Sequence, residues 1–302
     1  MTPVRRYRVW TWVLLSAVLM SCAGQPGSRH ALSGLEPRDT RPLFWHVKGQ
    51  GGTNLYLLGS IHVGPRGGWI YPESVGEAFD RAHALVVETD PNEVSPEVLS
   101  QMIQIYGQLP PGTYLRSILS DQTWDLLTVQ LQQSSLRIST VNRMRPWLLS
   151  ELLTLEEIRK AGYLAQGGVE ASFVARAGSR SIVPLESAQM QVVKLANLPM
   201  KVQEMALLDV LQQADHDPNY LDQLVDAWRS GDEKGLESLI FESLREDKAL
   251  APYFEIMLFE RSDGMQAQLE VLLNAKQHAG ETVFVSLGVA HLIGEKGICQ
   301  NL

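Results

Sequence analysis

Two short apolar runs at opposite ends of the chain share one design. Leu55, Tyr56, Leu57 and Leu58 end at Gly59, and Val283, Phe284, Val285, Ser286 and Leu287 end at Gly288; in each case a histidine, His62 or His291, stands three residues after the glycine. Runs of this length with little polar alternation predict strands buried on both faces of an α/β sheet, and a closing glycine marks where each strand turns out of it. Further strands are predicted at residues 44–47, 54–58, 84–88, 181–184 and 282–287. Between them the apolar positions recur at helical spacing. Val75, Ala78, Phe79 and Ala82 follow Pro72 and predict a helix over 73–82, a crossover between sheet strands. Trp147, Leu148, Leu152, Leu153, Leu155 and Ile158 predict a second helix, started by Pro146 and ended near Gly162. Further helical patterns cover 200–214, 220–228, 234–244 and 252–275. The expected fold is α/β, with a central sheet formed by N- and C-terminal segments and a large helical insertion or cap at about 96–180 and 188–278.

The matched Gly-x-x-His contexts suggest one shared site. Ligands of open α/β sheets gather at the carboxyl ends of the strands, so both imidazoles are expected to point into a crevice there. Glu88, at the end of the apolar run from residue 84, is a third candidate, because a carboxylate in such a run is costly unless it is paired or ligates a metal. Gly59 and Gly288 are expected to allow a tight turn or a close backbone approach. The segment Gly64-Pro65-Arg66-Gly67-Gly68 lacks the Gly-Lys-Ser/Thr ending of a phosphate loop and is read as a loop at the rim of the site.

The first residues change where this chemistry is expected. Arg5, Arg6 and Arg8 precede an apolar stretch over 9–20, too short for a settled membrane span, which reads as a signal peptide over 1–21. Leu19-Met20-Ser21-Cys22 resembles the lipobox of bacterial lipoproteins, which implies lipidation of Cys22, a tether over 22–41, and a folded region over 42–302. Ala23 after Cys22 favours the outer membrane, facing the periplasm. Loss of the three arginines moves the formal charge from -8 to about -11, a poor match for nucleic acid. Lipidation of Cys22 leaves Cys299 as the other of two cysteines, so no disulfide framework is expected.

Tyr56-Leu57-Leu58-Gly59-Ser60-Ile61-His62-Val63-Gly64, followed by Val86-Val87-Glu88-Thr89-Asp90, resembles the opening of TraB/GumN proteins. Gly288-Val289-Ala290-His291-Leu292-Ile293-Gly294 resembles that family's second signature. Arg145-Pro146-Trp147, Pro184-Leu185-Glu186-Ser187 with Gln189, and Glu260-Arg261-Ser262 ahead of Met265 stand between them in the family's order. The chain is similar also to the Tiki metalloproteases and, more distantly, to erythromycin-esterase-like and ChaN-like proteins. The resemblance implies a hydrolase that cleaves peptides or proteins, with a divalent metal (Mn, Co, Zn or Fe) held by His62, His291 and Glu88, and with Glu88, Glu186 and Arg261 as catalytic candidates. It also implies a further helix and strand after the second signature, with residues 298–302 opening that helix; if an edge strand is missing, the sheet is expected to be smaller or to have an exposed edge.

Each candidate has a plainer reading. A histidine at a strand end is commonly a hydrogen-bonded structural residue, and Glu186 and Arg261 could be an ion pair with each other or with helix ends. Two further functions stay open: a lipoprotein that binds metal, haem or peptide without turnover, and a metal-free esterase using His62 as a general base. No Gly-x-Ser-x-Gly elbow supports serine catalysis. His46, His83 and His216 are expected at the surface, His216 in a solvated turn with Asp215 and Asp217.

Overall fold

The computed structural model describes residues 38–302, apart from 91, 165–166, 217–218 and 276–277. The signal peptide, Cys22 and most of the tether lie outside the described residues. A five-stranded sheet has the order β2 (Phe44–Lys48), β3 (Asn54–Ser60), β7 (Thr282–Gly288), β5 (Ala84–Val87) and β6 (Ser181–Pro184). Strand β2 is antiparallel to β3 and the other pairings are parallel. A separate parallel pair joins β1 (Arg38–Asp39) to β4 (Trp69–Ile70).

The last strand in sequence therefore occupies the middle of the sheet. This explains the uninterrupted apolar runs, because β3 and β7 are covered on both faces. Leu55, Leu57 and Leu58 of β3 and Phe284, Val285 and Leu287 of β7 are all fully buried. On one face Phe284 packs against Phe79 and Phe173, with ring centroids 5.3 and 4.8 Å away, from the helices Glu73–Arg81 and Val169–Arg176. On the other face Val283, Val285 and Leu287 meet Met265, Leu269 and Leu273 of the helix Glu260–Asn274. Alternate residues of one strand thus serve two cores, as the two-residue side-chain period requires.

Helices fill the two long stretches between β5 and β6 and between β6 and β7. The helices Pro146–Lys160 and Met200–His216 pack together at the centre of this lobe. Three lobe helices whose bounds the apolar period does not mark carry legible starts. Ser95 accepts from the Val98 amide at the head of Pro96–Tyr106, which also has proline in its first turn; Ser120 caps Asp121–Leu131 and Ser187 caps Ala188–Asn197 in the same way. The predicted helix over 252–275 is divided into Ala251–Phe254, a π-helical segment Glu255–Phe259, and Glu260–Asn274.

The expected rim loop is partly interior. Gly64 and Pro65 are buried, and only Arg66 and Gly67 are exposed. Gly64 and Leu164 exchange two backbone hydrogen bonds of 2.9 and 2.8 Å, and the Val169 amide donates to Ile61 O at 3.0 Å. A β-carbon on Gly64 would collide with the Gly167 carbonyl, and one on Gly167 would collide with Gly64. This glycine crossing brings the start of the Val169–Arg176 helix alongside the residues that follow β3. Gly64→Ala should accordingly destabilise the fold by about 1–3 kcal/mol, the usual cost of overpacking. The check is a urea unfolding curve: a lowered midpoint with unchanged slope is expected, and an unmoved midpoint would show that the crossing is loose.

Candidate functional site

The four parallel strands end on one edge, and each is followed by a polar side chain that turns into the same buried cluster. Register sets this alignment: Ser60 stands opposite Gly288, Val87 opposite Ser286, and Val87 opposite Pro184. His62 follows β3, Glu88 follows β5, Glu186 follows β6 and His291 follows β7, in the short helix Val289–Leu292. Glu88 and His291 have no exposed surface, and His62 and Glu186 are 5% and 8% exposed. The expected open crevice is thus corrected, because packing of the helical lobe closes over the strand ends. Trp228 of the helix Tyr220–Ser230 seals one side by donating from Nε1 to Gly59 O at 2.8 Å. The close approach expected at Gly59 is present, since a β-carbon there would lie 3.0 Å from Val289.

Glu88 is the hub. Its Oε1 accepts from the Gly288 amide at 2.6 Å, and its Oε2 accepts from Arg261 Nη2 at 3.0 Å. Oε1 is also the atom toward which both histidines turn, at 3.9 Å from His62 Nε2 and 3.8 Å from His291 Nε2. These separations exceed hydrogen-bonding distance. His291 Nε2 is buried and has no hydrogen-bond partner. Nδ1 of the same ring lies 2.8 Å from Ser262 Oγ.

Arg261 joins the cluster from the first turn of Glu260–Asn274, directly after the π-helical segment, a local feature frequent at functional sites. Its Nε donates to Glu186 Oε2 at 2.7 Å and its Nη1 to Met257 O at 2.9 Å. Glu186 also accepts from Gln191 Nε2 at 3.2 Å. The ion pair between Glu186 and Arg261, one of the two readings open from sequence, is therefore present. Removing either partner of a buried pair of this kind costs about 3–5 kcal/mol, because the other charge is left uncompensated.

One acidic residue was missed in the sequence. Glu170, 6% exposed, lies with Oε2 at 3.5 Å from His62 Nδ1 and accepts from Ser60 Oγ at 3.4 Å. It stands in the first turn of an unremarkable amphipathic helix, and only the glycine crossing delivers it to the site. Gln191 was likewise not singled out, and Ser262 was noted only within the Glu260-Arg261-Ser262 segment, without a role. Arg145 has a structural place, donating to Gln108 O and Ala196 O at 3.2 and 3.0 Å. His46 and His83 are exposed, as expected, and the side chain of His216 lies outside the described residues.

The charge states follow from burial and neighbours. Burial pushes the Glu88 carboxyl up, but His291, His62, Arg261 and the Gly288 amide outweigh it and hold the group at about 2. Burial pushes Glu170 well above the ordinary carboxylate range, and the nearby Glu88 charge adds to this. Burial works against the Arg261 charge, yet Glu186 and Glu88 keep it cationic. His291 is lowered to about 3, chiefly by burial, with Arg261 opposing its protonation and Glu88 favouring it. At neutral pH the His291 ring is neutral, which leaves His62, Arg261 and the Gly288 amide among the groups that favour an ionised Glu88. Among the described residues, no group of three or more His, Cys, Asp and Glu side chains forms a ready-made metal site.

The model of the TraB/PrgY/gumN family matches residues 43–302. The chain belongs to the TraB/PrgY/gumN family. Its relatives include the uncharacterized protein YbaP of Escherichia coli (strain K12), 22% identical over 255 residues that cover 83% of this chain and 89% of that one. YbaP of Shigella flexneri aligns to the same extent, and an uncharacterized protein of Treponema pallidum (strain Nichols) is 27% identical over 192 residues, 62% of this chain and 56% of its own length. No solved structure matches the chain. In this family member the two glycine-histidine signatures end adjacent strands, β3 and β7, although more than 200 residues separate them in sequence.

The low value for His291 has a consequence for stability. An unfolded histidine titrates near 6.5 and the folded one near 3, so between these values the unfolded chain binds the extra proton. This contribution is fully present above pH 6.5 and is lost as pH falls toward 3, with a limiting slope of about 1.4 kcal/mol per pH unit. Glu88, lowered to about 2, adds a loss of the same sign below about pH 4.5. Denaturant titrations from pH 7 to 4.5 should show stability falling for the wild type and a shallower fall for His291→Gln. Parallel profiles for the two proteins would mean that His291 is not held neutral.

Proposed function

We propose that the chain is a metal-dependent hydrolase acting on peptides, with His62 Nε2, His291 Nε2 and Glu88 Oε1 holding a divalent cation. The observation that carries this reading is the convergence of two imidazole nitrogens on one carboxylate oxygen at 3.8 and 3.9 Å, with no hydrogen bond at His291 Nε2. Nitrogen and oxygen ligands around one ion with bonds of about 2.1 Å lie roughly 3.4 Å apart in a tetrahedral shell. A contraction of about 0.5 Å would bring each imidazole nitrogen to that spacing from Glu88 Oε1. Imidazole and carboxylate together suit zinc, manganese, cobalt or iron.

A cation bound here would polarise a peptide carbonyl and acidify a water. The chain's own residues support that chemistry in distinct ways. Arg261 keeps Glu88 ionised and therefore a competent ligand. Glu186 and Gln191 fix the Arg261 fork, which makes Glu186 a positioning residue. Glu170, beside His62 and disposed by burial to accept a proton, is the carboxylate suited to proton transfer. The burial of the cluster also favours a second reading, in which the same residues bind a metal without turnover. Peptide access then separates the two.

Elemental analysis of the purified full chain, after reconstitution with divalent metals and removal of excess, is expected to show roughly one ion per chain. His62→Ala and His291→Ala should each lose most of it while retaining far-ultraviolet circular dichroism. A folded wild type that takes up no ion would overturn the metal reading and leave a metal-free esterase or a ligand-binding protein. Cleavage of a peptide library by the loaded wild type alone would favour the hydrolase over the binding protein.

We also propose that Cys22 carries a lipid and holds the domain at the outer membrane, facing the periplasm. The support is the arginine-rich start, the apolar run and the lipobox-like ending. Among the described residues no helix is long and apolar enough to cross a membrane. Cys22→Ser should move the protein from the membrane fraction to the soluble fraction. Unchanged membrane association would point to an uncleaved N-terminal anchor.

A further inference from the structure

Ser262 is 2% exposed, and its hydroxyl makes two contacts. Oγ lies 2.9 Å from Leu258 O, one turn back in the helical run, and 2.8 Å from His291 Nδ1. A serine hydroxyl carries one hydrogen, and a carbonyl oxygen can only accept. The hydrogen of Ser262 is therefore committed to Leu258 O, and what it offers His291 is a lone pair. For the contact at 2.8 Å to be a hydrogen bond, Nδ1 must carry the proton and donate it. A neutral imidazole has a single N–H, so Nε2 is then bare.

That bare nitrogen faces a second electron-rich atom. Glu88 Oε1, 3.8 Å away, already accepts from the Gly288 amide, and the separation is too long for a hydrogen bond between it and Nε2. Were Nε2 protonated, a buried N–H would stand beside a carboxylate without bonding to it, in a cluster where the Arg261 cation already occupies the other carboxylate oxygen. We infer that Ser262 is a positioning residue that fixes the Nδ1–H tautomer of His291 and so presents the Nε2 lone pair toward Glu88. What that lone pair holds rests on the metal reading above; the tautomer does not. On the His62 side the Glu170 oxygen stands 3.5 Å from Nδ1, and a carboxyl group can either accept from or donate to that nitrogen, so this contact does not fix the tautomer of His62.

The test is a two-bond proton–nitrogen spectrum of the metal-free full chain labelled with ¹⁵N-histidine, with His291 assigned by its absence in His291→Gln. His291 should show a protonated Nδ1 and an unprotonated Nε2. In Ser262→Ala the two tautomers should mix, and zinc affinity, measured by competition with a chelator, should fall about 10–100-fold, the usual cost of losing a partner that orients a ligand. Ser262→Thr keeps the hydroxyl and should restore both properties. A protonated Nε2 in the wild type overturns the inference whatever the variants do, as does an unchanged tautomer and affinity in Ser262→Ala. Should the alanine variant fail to fold, the wild-type spectrum still decides. A wild type with the Nδ1–H tautomer that takes up no zinc leaves the assignment standing and counts against the metal reading alone.

Discussion

The buried pair of Glu88 and Arg261 is the constraint around which the strand-end edge is organised. A carboxylate with no exposed surface needs compensating charge, and here one guanidinium at 3.0 Å and one backbone amide at 2.6 Å provide it. The two donors come from different directions. Gly288 ends the central strand of the sheet, and Arg261 comes from the helix covering one face. Arg261 is also bound to Glu186, which follows the edge strand β6. One cation thus ties three strand ends to a helix more than 70 residues away from each of the first two acidic residues. Substituting a nonpolar residue for any member would strand a charge rather than merely delete a contact.

This arrangement divides the polar residues into two groups with different duties. Glu186, Gln191 and Arg261 are bonded to one another and form a buttress. His62 Nε2 and His291 Nε2 face Glu88 Oε1 from beyond hydrogen-bonding distance, Glu170 accepts from the Glu88 backbone amide, and His291 Nε2 lacks any hydrogen bond. Buried polar atoms are nearly always paired, so an unpaired nitrogen aimed at a carboxylate calls for an explanation. Burial reinforces the contrast by keeping His291 neutral and by raising Glu170, while Arg261 holds Glu88 ionised. Basic and acidic groups of different strength therefore stand within a few ångströms of one another, an arrangement characteristic of functional sites.

The parts of the site that were legible in the sequence are those that belong to strands. A strand buried on both faces must be apolar throughout, so its end is marked by the first glycine and polar residue, and His62, Glu88 and His291 could all be found in that way. Glu186 and Arg261 stood out only through a family resemblance, and the sequence left their pairing open. Glu170 carried no signal at all, and Ser262 appeared only as part of the Glu260-Arg261-Ser262 resemblance, with no role attached. Glu170 sits in the polar part of a helical pattern and reaches His62 only through the backbone crossing of Gly64 and Gly167. Ser262 looks like an ordinary helix residue, and its meaning lies in a hydroxyl whose one hydrogen is already committed elsewhere.

By itself, the sequence determined the α/β class, the two glycine-histidine strand ends, the helical middle and the lipobox-like start, because periodicity, glycine placement and charge act over a few residues. Tertiary structure alone decided that β7 enters the sheet between β3 and β5, which is what sets His291 and His62 about one carboxylate. It also closed the strand ends beneath the helical lobe instead of leaving a crevice. Both outcomes depend on which apolar faces are left to be covered once the whole chain is packed, a quantity that no local pattern contains.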